Sequence, residues 1–349
     1  MLPSRVNIPV PANPTQEDFF SAGLGTLFSD DTQNSHGTPG ESVVYTSPAY
    51  GRITLEIPRH PDVEEGRKLF AHYLWNAGVV AADAIEAASS NDRQEAKDGK
   101  VNWSERWDVR DRDVLELGAG TALPSLVAAF SGAKSVTITD HPSSPALVTD
   151  TIAHNVKANL HVYVRPTAKP DTEEQPRTKA KVSVHGLKWG TPKFMSPFSP
   201  GKASDPQPKQ HGFDTMIIAD CLWMPSQHVN IVRTIDQNLR LGNGQAVDKE
   251  ACALVIAGYH TGRGTVARFF QIATGTMPQD VQETLTKEEG EEVREVQHLL
   301  RLDDIFEVDV DCNVRPWQEE RAGECKDMAK RWVVCAVLVR KCGTGHACE

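Results

Sequence analysis

The stretch Val114-Leu-Glu116-Leu-Gly118-Ala-Gly120-Thr-Ala-Leu123 constrains what this chain can fold into more than any other part of it. It reads as a buried strand, a Gly-x-Gly turn and an apolar helix over 122–130. A strand that ends this way lets backbone come close to a ligand and aims helix N–H groups at it. It is also the first step of a doubly wound sheet, and the rest of the chain repeats that step. Strand-like runs at Val136-Thr-Ile-Thr-Asp140, Lys181-Val-Ser-Val-His-Gly-Leu187, Phe213-Asp-Thr-Met-Ile-Ile-Ala-Asp220 and Ala253-Leu-Val-Ile-Ala-Gly-Tyr259 alternate with helical periodicity over 143–158, 226–241 and 265–273. That alternation implies parallel pairing through right-handed crossovers.

The two ends differ from the middle. Val43-Val-Tyr45 and Arg52-Ile-Thr-Leu-Glu-Ile57 alternate like a β-ribbon, and 64–88 carries Leu69, Tyr73, Leu74, Val79, Val80 and Ile85 at helical spacing. Late in the chain a charged helix over 279–302 precedes apolar runs at 306–310 and 331–340. These read as an antiparallel hairpin closing the sheet edge. The expected fold class is α/β, a Rossmann-like seven-stranded doubly wound sheet with a terminal antiparallel hairpin. Residues 1–42, rich in Pro, Ser, Gly, Asn and Asp, read as a largely disordered arm with a helical turn near Asp18-Phe-Phe20. The domain then covers 43–341, and 342–349 is a flexible tail. Polar insertions at 89–107, 165–179, 190–212 and 242–249 fall where connections belong, and nothing in their composition asks for burial.

Composition excludes several function classes. With 39% hydrophobic and 24% charged residues the chain is an ordinary globular one. A formal net charge of −10 counts against nucleic acid as a partner. No apolar run reaches the roughly 18 residues of a membrane span, and the N-terminus lacks a secretory core, so a cytoplasmic protein is expected. The seven cysteines are scattered without a CxxC pair, which fits neither a disulfide framework nor a zinc module. Cys342, His346 and Cys348 would make a poor metal site on a terminus, and no metal is expected.

Three details sharpen the glycine turn. The third glycine of a dinucleotide fingerprint would fall at Leu123, so the cradle for a pyrophosphate is incomplete. S-adenosyl-L-methionine carries no phosphate and asks instead for room beside its amino-acid part. Glu116 places a carboxylate near a ligand that bears an ammonium and a sulfonium. Asp140 ends the second strand twenty residues after Gly120, where it either accepts hydrogen bonds from ribose hydroxyls or caps the helix starting near Ser143.

At this point the sequence resembles the seven-strand protein methyltransferases of the lysine-methyltransferase family. It is most similar to the fungal branch acting on the N-terminus and a lysine of elongation factor 1-alpha, often labelled nicotinamide N-methyltransferase-like. The likeness spans roughly 45–341 and rests on Leu74-Trp75-Asn76-Ala77-Gly78, Glu116 to Leu123, Thr139-Asp140-His141-Pro142, Gly186-Leu187-Lys188-Trp189-Gly190 and Ala219-Asp220-Cys221-Leu222-Trp223. It implies that Trp75 closes over S-adenosyl-L-methionine and that Gly118, Ala119 and Gly120 shape the methionine pocket. Asp140 would bind ribose, Trp189 would pack near the adenine, and Ala219 would supply backbone. The sequence has Cys221 where the family more often carries leucine, a swap that a small hydrophobe tolerates.

Methyl transfer to nitrogen needs a neutral amine lone pair aimed at the sulfonium carbon. Asp220 is placed to accept a hydrogen bond from that amine, or else to cap a helix or turn. Trp223 walls the channel, where a cation at its face gains about 0.5–2 kcal/mol. His260 reads equally as a proton shuttle and as a loop residue, whereas His141 reads as part of a turn. The run at 287–295 reads as a solvated helix face. Three functions follow: methylation of protein amines, with elongation factor 1-alpha as partner by resemblance; methylation of a small amine such as nicotinamide; or a non-catalytic cofactor-bound scaffold.

Overall fold

The computed structural model describes residues 3–7, 35–59, 73–90, 101–164, 175–199, 201–241 and 250–341. The strands are β1 (Val6–Asn7), β2 (Ser35–His36), β3 (Ser42–Ser47), β4 (Gly51–Glu56), β5 (Leu74–Trp75), β6 (Asp113–Leu117), β7 (Ser135–Asp140), β8 (Lys181–Leu187), β9 (Phe194–Met195), β10 (Thr215–Ala219), β11 (Cys252–Gly258), β12 (Leu300–Asp309), β13 (Val314–Pro316) and β14 (Trp332–Arg340). The helices are α1 (Asn76–Ser89), α2 (Leu123–Phe130), α3 (Pro145–Val148), α4 (Thr151–Leu160), α5 (His228–Asn238), α6 (Arg263–Thr274), α7 (Gln279–Gln282), α8 (Lys287–Val296) and α9 (Lys326–Lys330).

The main sheet runs β13-β12-β14-β11-β10-β6-β7-β8-β9. Its centre is parallel: β6 pairs with β7 and β10, β7 with β8, and β10 with β11. The seven expected strands form this sheet's body. The last strand does not close an edge, however. β14 inserts antiparallel between β11 and β12, and two short strands that the sequence hid, β9 and β13, extend the edges.

Each central strand feeds two cores, because successive side chains point to opposite faces. Val114, Ile217, Leu254 and Ile256 join α1, α2 and α4 on one face. Leu115, Met216, Ile218, Ala253 and Val255 join α5, α6 and α8 on the other. Helices cover both faces, which is why these strands read as continuous apolar runs. Each fully buried Val, Leu or Ile contributes about 1.5–3 kcal/mol of transfer free energy.

Several expectations need correction. Leu74 and Trp75 are not helical: they form β5, paired with β2, and Trp75 stays extended at φ −86° and ψ 149° ahead of α1. The 64–72 part of that predicted helix lies outside the described residues. The helix expected over 143–158 is broken into α3 and α4 by Asp150 in a left-handed conformation. Leu300 to Leu302 belong to β12, where they pair with β14. Two insertions do contribute to the core. Trp107 is fully buried and packs against Trp103 at 4.8 Å, and Phe194 is fully buried within β9. Both lie in short runs of mostly polar, Pro- or Ser-containing sequence, where no strand or helix period announces them.

Of the N-terminal arm, Val6–Asn7 pairs with β3 and Ser35–His36 with β5, while the turn expected near residues 18–20 lies outside the described residues. The 342–349 tail, with Cys342, His346 and Cys348, also lies outside them. Among the described residues no helix is long and apolar enough to cross a membrane, and no cluster of His, Cys, Asp and Glu is placed to hold a metal ion.

Candidate functional site

In an open α/β sheet the crevice for a ligand forms at the carboxyl ends of the strands, where the strand order reverses. Here that point lies between β6 and β10, and a cleft of about 1070 Å³, its open mouth included, sits on it. One wall is Tyr73, Leu74, Trp75 and Gly78; the floor is Glu116 with 118–121. Asp140, His141, Lys188 and Trp189 form a second wall, and Ala219 to Cys221 with Trp223, Met224 and Gln227 form the far side.

The turn after β6 shows why glycine is needed there. Gly118 has φ +62°, and a Cβ on it would lie 2.8 Å from Cys221 Sγ and 3.4 Å from Trp189. Cys221 is buried, its Sγ lies 3.3 Å from the Leu117 carbonyl, and burial first, then neighbouring carboxylates, push its thiol pKa well up. It is an inert small hydrophobe in this packing, as the sequence implied.

Three carboxylates converge on this space. Asp140 Oδ2 accepts the Gly120 amide at 2.9 Å and Oδ1 accepts the His141 amide at 2.7 Å. The helix that follows is capped by Ser144, whose hydroxyl accepts from Ala146, so Asp140 is free of that duty. Burial raises its pKa, and the two amides together with the Ser144 hydroxyl oppose the rise. A carboxylate has about four acceptor sites, so Asp140 keeps capacity facing the cleft.

Glu116 is almost fully buried, and its Oε2 has no hydrogen-bond partner among the described residues. Burial pushes its pKa to about 8; nearby Ser125 opposes the rise and Asp140 adds to it. A buried acceptor without a donor costs about 1–3 kcal/mol, and a cation in the cleft would relieve that cost.

Asp220 ends β10 in the left-handed region at φ +57°, a conformation Asp tolerates better than most residues. It starts no helix: a 3₁₀ turn at Pro225–Gln227 precedes α5. Its Oδ1 accepts the Gly258 amide at 3.2 Å. Burial raises its pKa, opposed by His260 and by that amide.

Every predicted site residue lines the cleft except His260. His260 stands behind the wall instead. Its ring stacks on Trp75 at 4.8 Å and 22°, and its Nδ1 lies 3.7 Å from Asp220 Oδ1. His141 sits in the turn, as expected. Its Nδ1 accepts the Ser143 amide at 3.3 Å in the turn, and its ring also lines the cleft, where burial and then Lys188 lower its pKa. The site roles of Tyr73, Met224 and Gln227 were not legible, because these residues flank the recognisable stretches, Gln227 from the 3₁₀ turn before α5.

Residues 62–272 match the profile of a lysine methyltransferase family. The chain is 31% identical over 54% of its length to a protein N-terminal and lysine N-methyltransferase efm7 of Emericella nidulans, covering 58% of that protein. It is also 31% identical over 51% of its length to the efm7 protein of Schizosaccharomyces pombe, covering 54% of it. The chain thus spans a little over half the length of these curated relatives. Among solved structures, a ribosomal protein L11 methylase of Lactobacillus delbrueckii subsp. bulgaricus is similar at a TM-score of 0.34 and 14% identity, over 76% of this chain and 79% of that one. That likeness is too loose to bear on function. The matched 62–272 span covers more than half of the chain and contains every residue that lines the cleft, and the chain therefore belongs to the lysine methyltransferase family.

Proposed function

We propose that this chain is an S-adenosyl-L-methionine-dependent N-methyltransferase acting on primary amines of a protein, namely an N-terminal α-amine and a neighbouring lysine. The observation that carries the reading is the division of labour among three buried carboxylates around one cleft. Glu116 offers an orphaned oxygen to a cation, Asp140 offers acceptor sites beside the glycine turn, and Asp220 lines the same cleft just after β10. The Gly118 cradle leaves no room for a side chain, which suits close backbone approach to the cofactor. Trp75 and Trp189, both lining the cleft, would cover and flank it. Ala219 lends backbone at the end of β10.

When bound, S-adenosyl-L-methionine supplies a methyl group activated on sulfonium. The rest falls to the chain's own residues. Asp220 accepts a hydrogen bond from the amine N–H and turns the nitrogen lone pair toward the cofactor side. Its carboxylate has a raised affinity for protons, which fits it to take the one the amine must lose. His260, beside the same oxygen, is next in line for that proton. Trp223, lining the cleft, favours a cationic substrate.

This arrangement fits nicotinamide less well, since a pyridine nitrogen has no hydrogen to donate to Asp220. The names of the fungal relatives support a protein N-terminus and a lysine as acceptors; elongation factor 1-alpha as the substrate rests on the motif resemblance, and the cytoplasm as its place of action on the sequence reading alone. The test is mass spectrometry of the elongation factor 1-alpha N-terminal peptide, free and acetyl-blocked, incubated with this protein and cofactor. Nicotinamide goes in a parallel tube. Mass gain in methyl steps on the free peptide, reduced by blocking, is expected. Product in the nicotinamide tube alone overturns the protein-amine reading.

A further inference from the structure

Trp75 forms part of the cleft wall, and its ring meets Tyr73 edge-on at 6.0 Å and stacks on His260 at 4.8 Å. It precedes α1 in an extended conformation and caps the helix with no side-chain hydrogen bond. β5 is only two residues long, and a ladder of that length is marginal by itself. Its backbone partner comes from far back in the sequence. Ser35 pairs with Trp75 and His36 with Leu74, and His36 Nε2 lies 2.7 Å from Asn76 Oδ1 at the first residue of α1. Both side chains are buried, His36 at 9% and Asn76 at 6% exposure. An amide oxygen only accepts, so His36 donates from Nε2 as the neutral imidazole. Burial, which lowers its pKa, keeps it so.

The strap is anchored at its other end as well. Gly37 has φ +89°, and a Cβ there would lie 2.8 Å from both Val43 and Ile57, so the chain lies flush on the β3–β4 ribbon. The ribbon in turn is held to α4 through Asn155 and Asn159. A continuous path therefore runs from the body of the domain through Gly37 and His36 to the wall of the cleft.

We propose that His36 is a positioning residue: the strap at Ser35–His36, through the buried His36–Asn76 hydrogen bond, fixes Trp75 in the wall against which the cofactor binds. The inference rests on the function proposed above, and its test separates the two. The full-length protein is compared with His36→Ala and His36→Gln, the latter keeping an amide donor. Hydrogen exchange of the backbone at 73–78 reads the wall directly, without cofactor. Calorimetry with S-adenosyl-L-methionine reads the consequence, and thermal unfolding reports any loss of fold.

His36→Ala should speed exchange at 73–78 and raise the cofactor Kd about tenfold, as losing one buried hydrogen bond implies. His36→Gln should restore both readouts toward wild type. Unchanged exchange at the wall in His36→Ala overturns the proposal, as does a lowered melting point with Kd intact in the folded protein. Wild type that binds no cofactor at all sinks the functional reading, and the role of His36 in cofactor binding goes with it; the exchange data then show whether the strap fixes the wall.

Discussion

Asp220 and Glu116 are both buried carboxylates on one cleft, and their settings give them different work. Asp220 follows the end of β10 with one oxygen bound to the Gly258 amide, and it lines the cleft with acceptor capacity to spare. Asn keeps its shape and its tolerance of positive φ, so Asp220→Asn should fold and bind cofactor as wild type does. Methyl transfer should fall about 10²- to 10⁴-fold, as loss of a general base predicts. An unchanged rate in single-turnover assays would remove Asp220 from proton transfer. Glu116 makes a prediction of opposite character, about stability. Its folded pKa of about 8 lies above the unfolded value of 4.5, so the folded state holds a proton that the unfolded chain has released. Stability from this group is therefore present at low pH and is lost as pH rises from 4.5 through about 8. Glu116→Gln should be close to wild type in melting temperature at pH 5 and more stable at pH 8. Parallel melting curves across that range would contradict the burial assigned to it.

At the scale of elements, the glycine turn, the strands around it and the charged face at 287–295 followed from period and composition alone, whereas the single helix expected over 279–302 is two helices, α7 and α8, followed by the start of β12. The 287–295 run is a solvated helix in the structure, α8, with a Thr286–Glu289 capping box and two buried valines. Other pieces were invisible because their partners are distant in sequence. Asn155 and Asn159 lie one turn apart on α4 and hydrogen-bond both backbone groups of Glu56 and Thr54, tying the ribbon to the domain across about a hundred residues. No local pattern marks an asparagine for that task. Trp107 is a second case: it looked like a connection residue and is fully buried in the core. Trp107→Ala should therefore cost about 3–5 kcal/mol in denaturant unfolding, the usual loss for a buried tryptophan. A cost below about 0.5 kcal/mol, as expected on an exposed helix face, would place it outside the core.

At the scale of the whole molecule, the far end of the sheet is stitched by charge. Glu307 on β12 is fully buried and accepts from Arg263 of α6 at 2.6 Å and from Arg315 of β13 at 2.6 Å. Glu324 bonds the same two arginines at 2.7 and 2.6 Å. Burial pushes the Glu307 pKa up, but Arg263 and then Arg315 more than offset it and hold it below its ordinary value. Removing one partner of such a network strands buried charge. Glu307→Ala should lose about 3–5 kcal/mol and loosen β12, β13 and the start of α6 together. A loss confined to a few tenths of a kcal/mol in denaturant unfolding would show the network to be ornamental.

The sequence by itself determined the α/β class, the parallel centre of the sheet and most residues of the cleft. All of these rest on local signals: a strand feeding a Gly-x-Gly turn, an acid at the next strand's end, an alternation of apolar runs. Strand order was decided elsewhere. That β14 inserts between β11 and β12 depends on which apolar faces meet, and a run of buried residues does not name its neighbour. The placement of His260 behind Trp75, the orphaned oxygen of Glu116 and the strap from His36 to Asn76 likewise exist only once distant segments are packed. Residue type and spacing locate a site on its strand, while burial and the partners that burial brings together settle what each side chain faces.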